Sequence, residues 1–287
     1  MTLPSQTHIS HLTLATGRLE RLTAFYTQTL GLTIHGQSTS KVHLGAPGGA
    51  AFLTLAHEAG AQAQPPYATG LYHFALLLPS RLALAQTLAH LIQVGAALSG
   101  ASDHAVSEAL YLNDPDGNGI ELTRDRPRAE WQWRNGLVGV TVDPLNLRGL
   151  LAEASAAGAP WAGLPPGTTL GHVHLRVRDL GDTARFYQDL LGFDTTAHYP
   201  GALFVSAGGY HHHFGLNTWQ SRGAPAPPAN AEGLRDVTIT LPTREDADIL
   251  AGRLRVGGWA FTKDAGEMST SDPSGNKLRI AAEAGAS

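Results

Sequence analysis

Two stretches decide the fold: ISHLTLATGRLERLTAFYTQTLGL, Ile9–Leu32, and LGHVHLRVRDLGDTARFYQDLLGF, Leu170–Phe193. They align without a gap. His11 falls on His172, Phe25-Tyr26 on Phe186-Tyr187 and Gly31 on Gly192, each pair 161 residues apart. A second pair interleaves with the first. LYHFALLLPSRLALAQTLAHLIQVG (from Leu71) matches LRDVTITLPTREDADILAGRLRVGG (from Leu234), and NDPDGNGIEL (from Asn113) matches SDPSGNKLRI (from Ser271). The chain is thus four copies, in order 1 to 4, of a unit of roughly fifty residues.

Within each copy the hydrophobic period changes. Alternation around the leading His or its equivalent predicts a strand, and the spacing in DTARFYQDLLGF predicts a helix. Short apolar runs follow: KVHL and AAFLTLA, ALYLN and GIELT, ALFVSAG and HHFGLN. The turn residues Asp-Pro-Asp-Gly-Asn-Gly at 114–119, echoed by Asp-Pro-Ser-Gly-Asn, separate the last two strands of modules 2 and 4. Each module reads βαβββ. One such curved sheet has a face it cannot cover alone, so the modules must pair. The predicted class is α+β, four βαβββ modules forming two paired, barrel-like curved sheets. Residues 7–124 form an N-terminal half (modules 1 and 2), 125–169 a linker with a short helix around Leu145–Ala156, and 170–283 a C-terminal half (modules 3 and 4).

Composition excludes several functions. The 287 residues include no cysteine, which removes disulfides, zinc–thiolate sites and thiol nucleophiles. A formal charge of −4 without a Lys/Arg block argues against nucleic acid or anionic lipid as partner. No apolar run is long enough for a membrane span, and MTLPSQTHISH lacks the pattern of a secretory signal, so the expected location is cytoplasmic. Chemistry must then rest on other side chains, and there are 14 histidines.

Paired βαβββ modules with a strand-borne His and a DPxGNxxE turn resemble the vicinal oxygen chelate superfamily of glyoxalases, bleomycin-resistance proteins and extradiol dioxygenases. The resemblance covers nearly the whole chain apart from the linker. It implies a metal held by two imidazoles and one carboxylate, the arrangement that leaves open positions on non-haem iron. In module 2 it points to His73 on the first strand and Glu121 on the last. Glu121 sits in the otherwise apolar run GIELT, where an unpaired carboxylate is costly. A metal would remove that cost; so would an ion pair with Arg124 or Arg126. Module 4 carries Asp236 and Arg279 at the equivalent positions, and a guanidinium cannot ligate a cation. One site per chain is therefore expected.

The third ligand is His11 if modules pair sequentially, or His172 if they pair crosswise, 2 with 3 and 1 with 4. The resemblance favours His172. The extradiol enzymes of this superfamily carry a catalytic His near the last strand of the module that gives the first ligand, and module 3 offers His212 there. They also carry a His in the loop before the third strand of the other module and a Tyr in that strand, here His104 and Tyr111. His11 stays in reserve, and His174, on the strand face of His172, can intrude. Alternation within His211-His212-His213 would place His212 on one face and its neighbours on the other. His8, His35, His43, His57, His90 and His198 read as surface or satisfied core residues.

The resemblance thus implies an extradiol ring-cleaving dioxygenase. It would act on a small aromatic diol and O2 with Fe(II) on His73, Glu121 and His172; these ligands would also accept Mn(II) or another divalent metal. His212, His104 and Tyr111 would act on the substrate. Neither nucleic acid nor membrane is expected as a partner, and a homo-oligomer is left open. A glyoxalase-like isomerase or lyase would use the same fold with carboxylates from both modules. A metal-free binding protein would need no triad.

Overall fold

The computed structural model describes residues 2–264 and 266–283. The strands of the four modules assemble into two sheets. One has eight strands in the order Phe261–Asp264, Glu267–Ser271, Lys277–Ala282, Gly233–Leu241, His8–Thr16, Ala51–His57, Lys41–Gly45, Thr33–Gln37, which is module 4 followed by module 1. The other has nine, in the order Asp143–Pro144, Leu98–Asp103, Ser107–Asn113, Gly119–Asp125, Gly70–Leu77, Thr169–Arg176, Phe214–Asn217, Ala202–Ser206, Asp194–Tyr199. That is module 2 followed by module 3, edged by a short linker strand. Pairing is crossed, so each sheet draws one module from each half of the sequence.

The four leading strands build the core by alternation. Leu12 and Leu14, Phe74 and Leu76, Val173 and Leu175, Val237 and Ile239 are all buried in one hydrophobic cluster with the helices. Successive strand residues point to opposite faces, so the residues between them, among them His73, His172 and His174, lie on the other face of the sheet. Where modules 2 and 3 meet, the leading strands run antiparallel with His174 opposite His73. Inside module 2 the first and last strands are parallel, with Ala75 opposite Glu121, and Tyr111 faces Glu121 from the antiparallel neighbour.

The helices of modules 1 and 3 change pitch partway. Leu19–Ala24 continues as a π-helical turn over Phe25–Thr29, and Leu180–Ala184 as one over Arg185–Leu191. The Leu30 N–H donates to the Phe25 carbonyl, and that of Gly192 to Tyr187, both five residues back. This wide turn seats Tyr26 and Tyr187, both fully buried, against the Asp-Pro turns of the following modules. Asp114 accepts the backbone N–H groups of Asp116 and Asn118, the Asn118 amide and the Tyr26 hydroxyl, the last at 2.8 Å. Asp272 repeats the arrangement with Ser274, Asn276 and, at 3.4 Å, the Tyr187 hydroxyl. The turn signature is thus a buried carboxylate that closes its own loop and latches a neighbouring helix.

The linker helix spans Leu147–Ala157, capped by the Asn146 side chain. The strand expected over HHFGLN begins only at Phe214. Gly208 and Gly209, both at positive φ, turn the chain, and residues 210–213 are irregular. Among the described residues, no helix is long and apolar enough to cross a membrane.

Candidate metal centre

His73, Glu121 and His172 come together although they stem from three strands and lie up to 99 residues apart. The His73 Nε2 is 3.0 Å and the His172 Nε2 3.1 Å from the same Glu121 oxygen, Oε2. All three side chains are buried, Glu121 to 2% exposure and His172 to 1%. Among the described residues this is the cluster of three His or acidic side chains whose ligand atoms converge within 4.8 Å. Metal–nitrogen and metal–oxygen bonds of about 2.0–2.2 Å place adjacent donors about 3 Å apart, which is the spacing found here. Two imidazoles and a carboxylate fit a divalent ion of the non-haem iron type.

Protonation suits the same role. Burial pushes the His73 imidazole down toward its neutral form. Burial alone would push the Glu121 carboxyl up, but His172 and His73 beside it outweigh that and hold it well below the usual carboxylate range. Neither arginine weighed as its partner touches it: Arg124 pairs with Glu108 and Arg126 with Asp103.

The equivalent positions in the other sheet hold no such cluster. His11 lies 2.7 Å from the Thr54 hydroxyl through Nε2, Asp236 accepts from Thr13, and Arg279 pairs with Glu267. The sheet that contains Glu121 contains His172; His11 belongs to its counterpart.

The triad lies beside a cavity of about 890 Å³, at the large end of small-molecule sites. His73 and Glu121 line it together with His104, Tyr111, His174 and His212. Its remaining wall is largely apolar: Val138, Val140 and Val142 from the linker face Tyr199, Phe204 and Trp219 from module 3. The linker, read in the sequence only as a connection, is therefore part of the site. His198, expected at the surface or in the core, is exposed at the cavity wall.

His104 accepts and donates in a defined order. Its Nδ1 is 2.7 Å from the Thr141 carbonyl, which can only accept, so Nδ1 carries the hydrogen. Nε2 then accepts from the Tyr111 hydroxyl, 2.7 Å away. Burial and the neighbouring Glu121 charge raise the Tyr111 phenol well above its ordinary range, so it stays protonated.

The alternation expected for the histidine triplet fails because residues 210–213 are not extended. His211 and His212 contact each other, Nδ1 to Nδ1 at 2.9 Å, and the His212 ring lies 4.1 Å from that of His172. His213 turns away, accepts the Ala207 N–H and packs on Tyr210; burial and His211 lower it to about 3. His212 is driven well below the ordinary histidine range by burial, then by His172 and His211, and is neutral. His174 is neutral for the same reason, and its buried Nε2 has no partner among the described residues. The sequence reading missed Asp125, 3.0 Å from His211 Nε2. Its signal was its place four residues after Glu121, on the same strand face.

The profile of the Glyoxalase/Bleomycin resistance protein/Dioxygenase superfamily matches residues 8–122 and 169–280. The chain is 45% identical over 271 residues, 93% of its length and 94% of the relative's, to a catechol-2,3-dioxygenase of Bacillus subtilis (strain 168). It is 27% identical over 173 residues, 53% of this chain and 84% of the relative, to biphenyl-2,3-diol 1,2-dioxygenase 3 of Rhodococcus globerulus. Among solved structures, a Bacillus subtilis protein superposes with TM-score 0.69 at 14% identity, covering 99% of this chain and 87% of the other. Glyoxalase I from Zea mays superposes with TM-score 0.57 at 17% identity, covering 96% and 92%. At these identities the superpositions speak to the fold.

Proposed function

Because the chain belongs to the Glyoxalase/Bleomycin resistance protein/Dioxygenase superfamily, we propose that it is an extradiol dioxygenase, opening a catechol-type ring beside the diol with both atoms of O2. The observation that carries this reading is the convergence of two imidazole nitrogens and one carboxylate oxygen beside a cavity that also holds His212, Tyr111 and His104. The likeness to a catechol-2,3-dioxygenase over nearly the full length of both chains supports it.

In this reading His73, His172 and Glu121 hold Fe(II), with Mn(II) as a chemically acceptable substitute. The bound ion would supply Lewis acidity toward the diol and a site for O2. The chain's own residues bind and orient the substrate and move its protons. A neutral His212 takes a hydroxyl proton at Nε2, which has no other partner. The Tyr111 hydroxyl donates to His104, so its oxygen remains free to accept from a substrate hydroxyl. The apolar wall formed by the linker and module 3 receives the ring and limits water.

The test is anaerobic loading with Fe(II), addition of catechol, then air. Oxygen uptake and a yellow ring-opened semialdehyde are expected. Absence of both with a panel of substituted catechols, in protein that holds iron, refutes the assignment.

A further inference from the structure

His211 and Asp125 have no place in the mechanism above, yet both lie directly behind His212. The His211 ring is fully buried, with Tyr210 at 4.1 Å and Trp131 at 5.2 Å between ring centres. Its Nε2 is 3.0 Å from Asp125 Oδ1. A carboxylate oxygen accepts, so that nitrogen is the donor, and the Nε2–H tautomer of His211 has its lone pair on Nδ1. Nδ1 faces the Nδ1 of His212 at 2.9 Å. Two lone pairs at that distance repel, so His212 must carry its hydrogen on Nδ1 and donate it. One lone pair is then left on His212, at Nε2, and this atom of a cavity-lining ring has no partner among the described residues.

We propose that Asp125 and His211 are positioning residues, a relay that fixes His212 in the Nδ1–H tautomer so that Nε2 stays free as the base toward substrate. The assignment rests on the dioxygenase reading for what the base does, but not for the tautomer itself. When a substrate O–H proton passes to His212 Nε2, the O–H bond breaks, an N–H bond forms, and the new imidazolium charge is compensated by the substrate anion. The Nδ1–H then donates more strongly into His211, and the chain of polarised bonds ends on the Asp125 carboxylate. An acid–imidazole pair orients the catalytic imidazole of serine proteases on the same principle, with one ring where this chain has two. The relay also ties the end of the Glu121 strand in module 2 to the base of module 3.

Asp125→Asn keeps the shape but can present an amide donor to His211, which reverses every hydrogen in the relay and places one on His212 Nε2. The expected result is a kcat lower by about 10- to 100-fold, reaching at most the lower end of the roughly 100- to 10,000-fold that a general base contributes, with KM and iron content unchanged. Asp125→Glu restores part of the lost rate. In a His212→Phe background, Asp125→Asn has no further effect, whereas a merely structural role would give additive losses. Independently of turnover, two-bond 1H–15N correlations of the metal-free protein should show His212 as the Nδ1–H tautomer in wild type and shifted to Nε2–H in Asp125→Asn. An Nε2–H tautomer in wild type overturns the relay, as does an additive double variant or an unchanged kcat. If the wild-type protein cleaves no catechol, the dioxygenase reading falls while the tautomer measurement still decides the relay.

Discussion

Replacing His172 by Ala tests the crossed site most directly, and His11→Ala is its internal control. His172 Nε2 lies 3.1 Å from Glu121 Oε2, whereas His11 sits in the other sheet, engaged by Thr54 and the Ala51 carbonyl. Without His172, two donors remain, His73 Nε2 and Glu121 Oε2, 3.0 Å apart. Partners that merely orient a metal ligand are worth about 10–100-fold in affinity, so deleting a ligand should exceed that range. At about 1.4 kcal/mol per decade, a 100-fold loss corresponds to about 3 kcal/mol. His11→Ala should leave affinity unchanged and lower stability by about 1 kcal/mol, the worth of its hydrogen bonds. Anaerobic equilibrium dialysis against an Fe(II) chelator, with iron measured per chain and circular dichroism confirming the fold, gives both numbers. Wild-type iron affinity in His172→Ala, or its loss in His11→Ala, would refute the reasoning.

The two tyrosine latches should differ in strength. Tyr26→Phe removes a buried hydrogen bond of 2.8 Å to Asp114 and should cost about 2 kcal/mol in urea unfolding, whereas Tyr187→Phe, at 3.4 Å from Asp272, should cost under about 1 kcal/mol; equal losses would contradict the geometry. Burial raises Asp272 from 3.8 to about 6 despite its hydrogen bonds. The folded state therefore holds this proton more tightly than the unfolded chain, so the stability from Asp272 is full below about pH 4 and lost as pH rises through about 6. The swing is about 3 kcal/mol, and Asp272→Asn should remove it from the difference between unfolding curves at those two pH values. Tyr111→Phe removes the donor to His104 Nε2 and the oxygen offered to substrate, so kcat/KM should fall about tenfold or more with iron content intact; an unchanged value would exclude Tyr111 from the site.

The fold was legible because the modules repeat and their hydrophobic period changes within each copy. The crossed pairing was legible through the resemblance: the family pattern put His73, His104, Tyr111 and Glu121 in module 2 and His172 and His212 in module 3, which pointed to modules 2 and 3 sharing a sheet, as they do. The positions of Asp125 and His211 were not, because a hydrogen-bonded relay depends on backbone turns at Gly208 and Gly209 that alternation cannot predict. Reading 210–213 as strand sent His211 to the wrong face. The linker's Val138, Val140 and Val142 were equally hidden, since a segment of short bridges carries no period that says which cavity it covers.

The latched Asp-Pro turns give the molecule a mechanical property. Strand pairing joins modules 2 to 3 and 4 to 1, whereas Tyr26–Asp114 joins 1 to 2 and Tyr187–Asp272 joins 3 to 4. Salt bridge Arg18–Asp116 and the bond from the Arg178 N–H to Ser274 strengthen the same two seams. The four modules therefore form a closed circuit of contacts, and the strands that carry His73 and His172 are joined directly and also the long way through modules 1 and 4. Cutting those two modules away would strip Asp114 and Tyr187 of their partners and open the long route. The half of the circuit without the triad thus bears on the candidate metal centre from a distance, through contacts that close around it.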